Sequence, residues 1–400
     1  MTIKRCVYTL ALGCTLVVLS ACGNTPVAHK SHGHGAERVH GQGTKHIASS
    51  QAETLKAVDL RNTLDVDAVV SKLGDTRVIY VGEFHDNYGH HLAQLDVIRA
   101  LHRQDADIAI GLEMFQQPYQ AQLDAYIAGE TNERQMLRET EWYDRWRFDF
   151  RLYKPVLDYA REHAIPLVAL NVSSELKERV SEVGVDGLNP QERAAVPAEI
   201  DRSDKVYESR LKKIFVKHMD RGKKSFERFV DVQLLWDESM AERAADFLQA
   251  NPGRRLVVLA GGGHLAYGSG IPNRVKRRVD VTSAIILPAD NRPVTPGVAD
   301  FMIYPSVASL PQQGVMGVML DKGEEGVLIA HVLEESAADK AGLERKDTIV
   351  RFDGEPVKTP GDLKVLLMGK QPGDSVRLKV RRSSILFGDE QLDFEFALGQ

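Results

Sequence analysis

Cysteine is scarce in this chain of 400 residues, and all three cysteines lie close to its start. Cys6, Cys14 and Cys22 are followed by no further cysteine. A disulfide framework and a cysteine nucleophile are therefore excluded for the part of the chain after Cys22. This usage of cysteine is compatible with an exported protein.

Two other features are missing. Basic residues form no long stripe interleaved with aromatic side chains, and the formal net charge is −5, so nothing points to a nucleic-acid partner. The phosphate-binding sequence Gly-x-x-x-x-Gly-Lys-Ser/Thr is absent, and no Gly-x-Gly-x-x-Gly follows the first predicted strand. We therefore expect no nucleic-acid partner and give little weight to a nucleotide site.

The chain also lacks a strongly apolar run long enough to cross a membrane. The apolar stretch Val7 to Leu19 follows two basic residues and is shorter than the roughly 20 residues of a spanning helix, which indicates a secretory signal over residues 1–22. Its ending, Leu19-Ser20-Ala21-Cys22, resembles a bacterial lipoprotein signal, and that resemblance implies lipidation of Cys22. Gly23 at the next position favours the outer membrane, facing the periplasm. An ordinary signal peptide is the alternative.

Residues 23–57 contain little besides small and polar residues, and they carry five histidines, at positions 29, 32, 34, 40 and 46. Because no apolar periodicity is present, we expect a disordered tether between lipid and folded domain. The histidines could bind metal or haem loosely, but a solvated spacer is the favoured interpretation.

The remaining sequence is long enough for two domains. The hydrophobic fraction of the whole chain, 43%, is that of an ordinary soluble core. From about residue 58, apolar strands alternate with helical patterns, which predicts an α/β fold with a mostly parallel sheet flanked by helices over 58–288. A proline-containing connection over 289–309 and a small β-rich domain over 310–400 follow. The predicted strands of the sheet are Arg77 to Val81, Asp107 to Leu112, Leu167 to Leu170, Leu256 to Ala260 and Val281 to Leu287.

Polar side chains stand at the ends of four of these strands. Glu83 and His85 follow the first strand, Glu113 the second and Asn171 the third, and Gly261-Gly262-Gly263-His264 follows the fourth. Because open α/β sheets bind ligands just beyond their carboxyl ends, we expect these groups to meet in one crevice. Each residue alone also has an ordinary explanation as a helix cap or a semi-buried histidine.

A second cluster, residues 141–153, is rich in aromatic side chains and arginines. Aromatic faces and guanidinium groups suit a flat ligand with acidic edges, and haem fits that description. The alternative is a well-packed helix junction with exposed arginines. The residues concerned are Trp142, Tyr143, Arg145, Trp146, Arg147, Phe148, Phe150 and Arg151.

Five segments together resemble the ChaN-like family of haem-binding lipoproteins, from about residue 58 to 288: Val81 to Asp86, Gly111 to Phe115, Ala169 to Val172, Gln233 to Ala241, and Ala260 to His264 with Gly270 to Arg274 after it. The resemblance implies haem or iron handling, a dimer with paired haems, tyrosine ligation of the iron, and histidine and lysine contacts to the propionates. Tyr143 is the first choice for the iron ligand and Tyr267 the second, whereas Tyr153 is expected to be packing. The complete set of predicted cofactor-binding residues is Glu83, His85, His90, Glu113, Tyr143, Arg145, Arg147, His264, Tyr267 and Arg274.

The chain is also similar to the wider superfamily of TIKI metalloproteases and erythromycin esterases, which implies an alternative function as a hydrolase. Glu83, His85, Glu113 and His264 would then hold a divalent metal such as zinc, manganese or cobalt, or Glu83 and His85 would act as a general acid/base pair. Spacing does not decide, since the ligands come from different strands. A scaffold with a degenerate pocket is a third alternative.

The C-terminal part closely resembles a bacterial PDZ domain in Gly314 to Leu320, Gly326 to Val332, Ala337 to Leu343 and Asp347 to Val350. Lys346 departs from the glycine usual there. The resemblance implies that an extended or C-terminal peptide binds by strand addition. The expected peptide-binding residues are Met316, Gly317, Val318, Met319 and Leu320 on the strand side, and Leu363, Leu366 and Leu367 on the facing helix.

Overall fold

Apolar runs in the first three quarters of the chain form the six strands of one parallel sheet. The computed structural model describes residues 59, 61–218, 225–289, 294–384 and 388–400, so the predicted signal and tether lie outside the described residues. The central strands are buried along their whole length, as expected for a sheet covered on both faces. The six strands are β1 (Val78–Glu83), β2 (Ile108–Gln116), β3 (Leu167–Asn171), β4 (Arg255–Gly261), β5 (Ser283–Pro288) and β6 (Phe301–Ile303).

The strand order is β3-β2-β4-β1-β5-β6, and every neighbouring pair is parallel. In this register Glu83 of β1 lies beside Gly261 of β4, and Leu112 of β2 lies beside Leu259. The carboxyl ends of β1, β2 and β4 therefore meet at one edge. The α/β architecture predicted from the sequence is confirmed.

Helices cover both faces of the sheet, and polar caps mark where several of them begin. Asn87, Ser173 and Ser225 each accept a hydrogen bond from a backbone N–H in the first turn of the helix that follows. The helices are α1 (Val66–Leu73), α2 (Tyr88–Gln104), α3 (Gln120–Ile127), α4 (Glu133–Glu139), α5 (Trp142–Arg145), α6 (Lys154–Glu162), α7 (Ser174–Val183), α8 (Pro190–Ala194), α9 (Lys205–His218), α10 (Phe226–Ala250), α11 (Gly262–Leu265) and α12 (Ile271–Arg278).

The structure differs from the sequence expectation at two strands. β2 continues to Gln116, so Glu113 lies inside this strand and not after it, and the register to β3 shifts between Leu112 and Gln116. β6 lies within the predicted connection over 289–309 and pairs with β5, where Ile286 lies beside Phe301. A strand of three residues flanked by prolines gives too weak a pattern to be read from sequence.

The C-terminal domain is an antiparallel sheet in the order β12-β11-β9-β8-β7, with β10 added to β9. β7 stands at an edge of this sheet. Its core contains Val327, Ile349 and Val380. The elements are β7 (Val318–Gly323), β8 (Gly326–Val332), α13 (Ala337–Lys340), β9 (Thr348–Phe352), β10 (Glu355–Pro356), α14 (Pro360–Leu367), β11 (Ser375–Ser384) and β12 (Gly388–Ala397).

Both domains belong to one compact unit. α14 packs against α4 and α5 of the N-terminal domain as well as against β7. No helix within the described ranges is both long and apolar enough to cross a membrane.

Candidate functional site

The crevice, defined here by Glu83, His85, Glu113 and His264, lies at the carboxyl edge of the parallel sheet. Glu83 is the last residue of β1, Glu113 lies near the end of β2, and His264 lies in α11, directly after β4. The structure therefore brings together four of the five strand-end residues that the sequence predicted to meet, and the fifth, Asn171, hydrogen-bonds the backbone of Glu113.

Glu83 and His85 bind each other. The Nδ1–H of His85 donates to Oε1 of Glu83 (2.6 Å), and Nδ1 of His91 lies 2.9 Å from Oε2 of the same carboxylate. Glu83 is fully buried, and burial alone would raise its pKa, but His91 and His85 outweigh burial and hold the pKa at about 2. Glu83 is therefore an anion between two imidazole rings.

Two buried residues, His91 and Tyr153, also contact Glu83 and His85. Nε2 of His91 lies 3.1 Å from the backbone oxygen of His85. The hydroxyl of Tyr153 lies 3.4 Å from Oε1 of Glu83 and 3.3 Å from the same backbone oxygen, and its ring packs on that of His91. His91 and Tyr153 therefore fix the orientation of Glu83 and His85.

A second pair faces the first. Nδ1–H of His264 donates to Oδ1 of Asp237 (2.6 Å), and the hydroxyl of Tyr207 donates to Oδ2 of Asp237 (2.5 Å). Burial tends to lower the pKa of His264, but Asp237 and Glu113 outweigh it and raise the pKa to about 9. His264 is therefore an imidazolium at neutral pH.

Glu113 lies between the two pairs. Its Oε2 accepts a hydrogen bond from the backbone N–H of Gly261 (2.6 Å), and its Oε1 lies 3.5 Å from Nε2 of His264. A side chain at Gly261 would approach Cε1 of His85 to 3.1 Å, a tight contact, so the glycine leaves room for that ring. Burial works to lower the pKa of His85, but Glu83 and Glu113 raise it.

This arrangement can move protons. Each histidine is fixed through Nδ1 by its own carboxylate, as in general acid–base sites, and Nε2 of His264 faces Oε1 of Glu113. Among the residues that the structure describes, no group of three or more His, Cys, Asp or Glu side chains is arranged to hold a metal ion. The metal-dependent form of the predicted hydrolase therefore has no support from the donor geometry.

An aromatic wall formed by Trp146 and Phe148 borders the crevice. The ring of His85 lies 4.9 Å from that of Trp146 and 5.1 Å from that of Phe148. Tyr143 does not belong to this wall, because its ring lies under Lys364 of the C-terminal domain. The first choice for the iron ligand therefore points away from the crevice, towards α14.

Tyr267 lies three residues beyond His264 in the sequence and has two unusual properties. It is 45% exposed, and its backbone has a φ of 63°, a left-handed conformation that is uncommon for residues other than glycine. The guanidinium carbon of Arg210 lies 4.8 Å from the centre of its ring. An exposed phenol above a cation fits the chemistry of a tyrosine that binds ferric iron.

Four of the predicted site residues have structural roles. His90 is buried and accepts a hydrogen bond from the N–H of Phe84 (2.9 Å), so it holds the turn after β1. Arg145 pairs with Glu141 and Glu175, and Arg274 is buried against Glu238. Asn171 donates to the backbone oxygen of Glu113 (2.9 Å). The remaining arginine of the set, Arg147, is exposed beside the aromatic wall, and its Nε donates to the backbone oxygen of Asp144.

On the C-terminal domain, β7 and α14 line the predicted peptide groove. Met319 of β7 is 58% exposed, whereas Met316 and Leu363 are buried in the core of that domain. Gly317 has a φ of 81°, and a side chain there would collide with Ser336. Val318, Leu320 and Leu367 are partly buried against the core, which leaves apolar surface beside the edge strand.

Sequence reasoning missed three members of the crevice. Asp237 lies in the Gln233 to Ala241 segment that carries the family resemblance, but it was assigned no role. His91 was also assigned no role, and Tyr153 was expected only to pack. An ionisable residue inside an apolar helical stripe is the signal that could have revealed Asp237, because such a group is rarely buried without a partner.

Comparison with known proteins identifies the N-terminal domain. Residues 69–275 match the profile of the family described as haem-binding uptake, Tiki superfamily, ChaN, and residues 314–398 match the PDZ domain. The chain belongs to the ChaN family. The first match covers slightly more than half of the sequence.

Individual relatives are more distant. The chain is 24% identical over 270 residues to the chloroplastic protein RETICULATA-RELATED 5 of Arabidopsis thaliana, covering 60% of this chain and 35% of that protein. It is 40% identical over 57 residues to a probable periplasmic DegP-like serine endoprotease of Ectopseudomonas mendocina, covering 14% of this chain and 12% of that protein. The chain thus spans about a third or less of these curated relatives.

A solved structure of ChaN from Campylobacter jejuni, which shows cofacial haem binding, is also similar. It is 16% identical, with a TM-score of 0.47, and the match covers 60% of this chain and 91% of the Campylobacter chain.

Proposed function

We propose that this protein is a lipid-anchored envelope protein that binds haem at the mouth of the crevice and recruits a peptide partner through its PDZ domain. Membership of the haem-binding uptake family supports haem as the ligand. The Leu19-Ser20-Ala21-Cys22 sequence supports anchoring through Cys22, in the outer membrane facing the periplasm.

Tyr267 is the observation on which the haem proposal rests. Its side chain is 45% exposed, and Arg210 puts positive charge over the ring of the phenol that would become negative on binding ferric iron. Arg147, exposed beside Trp146 and Phe148, is placed to meet a propionate at the aromatic wall. Bound haem would supply a ferric centre able to bind or exchange ligands. The protein would supply the phenolate, the aromatic face and the guanidinium groups.

Haemin titration tests this proposal. The five tether histidines are first replaced by alanine, because they would bind haemin independently. We expect saturable binding with a high-spin, tyrosine-type absorption spectrum that is lost in Tyr267→Phe and retained in the matched variant Tyr143→Phe. Equal spectra for both variants would remove Tyr267 as the ligand, and a lack of saturable binding would remove haem.

The PDZ part of the proposal rests on the exposed edge of β7. An extended peptide can add to this edge and place its side chains between β7 and α14. The test is binding of a C-terminal peptide by fluorescence anisotropy. We expect Met319→Lys to weaken binding of an apolar peptide and to leave the fold unchanged.

A second candidate function is metal-independent hydrolysis. The specific observation in its favour is the pair of oppositely placed dyads, His85 with Glu83 and His264 with Asp237, on either side of Glu113. In such a reaction one imidazole would take a proton from water while the imidazolium of the other would protonate the leaving group.

A chromogenic ester such as p-nitrophenyl acetate, assayed in the presence of EDTA, tests this candidate. Hydrolysis by the protein should fall at least 100-fold in His85→Ala and in His264→Ala. His331→Ala, an exposed strand residue, is the control and should be fully active. A rate equal to that of the buffer in all samples would exclude esterase activity on this substrate class.

A further inference from the structure

The last strand of the parallel sheet has one edge without a strand partner. β6 ends the order β3-β2-β4-β1-β5-β6, and among the described residues it pairs only with β5. Such an edge presents backbone N–H and C=O groups with which another extended chain can pair. Because β6 is three residues long, it offers about 10 Å of edge for this pairing.

A groove, called here the β6 groove, runs along this edge and has a cavity volume of about 1140 Å³. It is lined by α1 and the residues before it, by the first half of α2, and by the chain on either side of β6. All three residues of β6, Phe301, Met302 and Ile303, also line it. Because neighbouring side chains of a strand point to opposite faces, a groove that all three line follows the edge of the strand.

The β6 groove contains apolar side chains that are not covered. Leu64 is 45% exposed, Val294 37% and Tyr304 69%. Leu92 and Ala93 of α2 are partly buried. The volume of the groove exceeds the roughly 300–1,000 Å³ of most small-molecule sites. The groove therefore fits a longer, partly apolar ligand such as a segment of a polypeptide.

The charged side chains of the β6 groove all have the same sign. Among the described residues that line it, four are aspartates and none is a lysine, an arginine or a histidine. All four aspartates are exposed. They are Asp59, Asp65, Asp96 and Asp300. This charge favours a basic ligand and disfavours a ligand with carboxylates, such as haem with its propionates.

Asp65 and Asp300 contribute most to this negative charge. Asp59 and Asp96 each lie beside an arginine outside the groove, at 2.9 and 3.8 Å, which partly neutralises them. Asp65 accepts a hydrogen bond from a backbone N–H of α1 (2.7 Å), and Asp300 accepts one from a backbone N–H of β5 (2.7 Å). Within the described ranges, neither of these two forms an ion pair. Their charges are therefore available to a cation on a ligand.

We propose that the β6 groove binds an extended segment of a partner protein that contains both apolar and basic residues. The segment adds to the edge of β6 through backbone hydrogen bonds, as a further strand of the sheet. Its apolar side chains contact the apolar residues of the groove, and its basic side chains pair with Asp65 and Asp300. Pairing with β6 of a second copy is disfavoured, because it would bring two sets of aspartates together.

This surface is separate from the sites of the proposed function. The four crevice residues lie outside the β6 groove, and so does the edge strand β7. The inference therefore needs neither haem nor a peptide at the PDZ domain.

Fluorescence anisotropy with the whole chain tests the proposal. The probe is a fluorescein-labelled nonapeptide in which valine and lysine alternate, and its C-terminus is amidated so that it offers the PDZ domain no terminal carboxylate. One control peptide has glutamate in place of every lysine. A second control keeps the lysines but carries N-methyl groups on alternate backbone nitrogens, which removes donors needed for strand addition.

We expect saturable binding of the lysine peptide and, on binding, slower hydrogen–deuterium exchange at the backbone amides of Phe301 to Ile303. The double variant Asp65→Asn with Asp300→Asn keeps an oxygen that accepts each hydrogen bond but loses both charges. It should weaken binding about tenfold. Asp280→Asn, which changes an exposed carboxylate outside the groove, is the matched control and should bind as the parent does.

Four results would overturn the proposal. The first is the absence of saturable binding, and the second is equally tight binding of either control peptide. The third is an unchanged Kd in the double variant, or slower exchange at β7 in place of β6. The fourth is a dimer that forms without peptide and slows exchange at Phe301 to Ile303, because this edge would then belong to a second copy.

Discussion

The crevice of the N-terminal domain and the groove of the C-terminal domain are lined by different chemical groups. Buried ionisable side chains line the crevice and pair with one another, as Glu83 does with His85 and His91. The groove is lined by the backbone of β7 and by apolar side chains, with Met319 exposed. Substitutions in the crevice should therefore affect folding and function together, whereas substitutions at the edge of β7 should affect binding alone.

The largest effect is expected for Glu83→Ala. Removal of this carboxylate leaves His85 and His91 without their anion in a buried site, which should lower the free energy of unfolding by about 3–5 kcal/mol. Urea denaturation at neutral pH measures this loss. A change below 1 kcal/mol would show that the crevice is no more sensitive than the surface.

The second effect is a pH dependence set by His264. Its pKa is raised in the folded protein to about 9, so its stabilisation is complete below the unfolded value of about 6.5 and is lost as the pH rises through 9. The free energy of unfolding should fall by on the order of 3 kcal/mol over this range. Asp237→Asn should remove most of that slope, and an identical slope in the variant would contradict the assignment.

Val365→Ala tests the contact between the two regions. This side chain is buried in the core of the N-terminal domain although it lies on a helix of the C-terminal domain. The loss of two buried methyl groups should cost about 2 kcal/mol. Met319→Ala, on the exposed edge strand, is the matched control and should stay within about 0.5 kcal/mol.

The smallest effect is expected for Arg377→Ala. Arg377 pairs with Glu395 between β11 and β12 (3.1 Å), but both side chains are largely exposed, so the pair should contribute less than about 1 kcal/mol. Urea denaturation of both variants, Arg377→Ala and Glu83→Ala, compares the loss of unfolding free energy for an exposed pair with that for a buried one. A loss of unfolding free energy as large as that in Glu83→Ala would contradict the predicted difference between buried and exposed pairs.

The sequence was sufficient for the strands whose apolar runs are continuous, because a run such as Val78 to Val81 is buried on both faces and has no other favourable placement. It was also sufficient to predict that Glu83, His85, Glu113 and His264 lie at the same edge of the sheet. Asp237 could not be predicted in the same way, since its partner His264 follows a different element and only the packing of α10 on the sheet brings them together.

The choice between Tyr143 and Tyr267 shows a second limit. Tyr143 lies among aromatic residues and arginines in sequence, but α5 turns it towards α14 and away from His85. Tyr267 has few aromatic neighbours in sequence, and its exposure depends on a left-handed backbone that residue type alone does not predict. The composition of residues 141–153 therefore predicted the aromatic wall. It could not predict which of the two tyrosines, Tyr143 or Tyr267, is exposed to solvent.

Resonance Raman spectroscopy of the ferric haem complex tests the central claim most directly. We expect iron–phenolate vibrations in the protein whose tether histidines are replaced by alanine, and the same vibrations in Tyr143→Phe. They should be absent from Tyr267→Phe. Iron–phenolate vibrations that persist in Tyr267→Phe, or their absence from the parent protein, would contradict the assignment of Tyr267 as the residue that holds the iron.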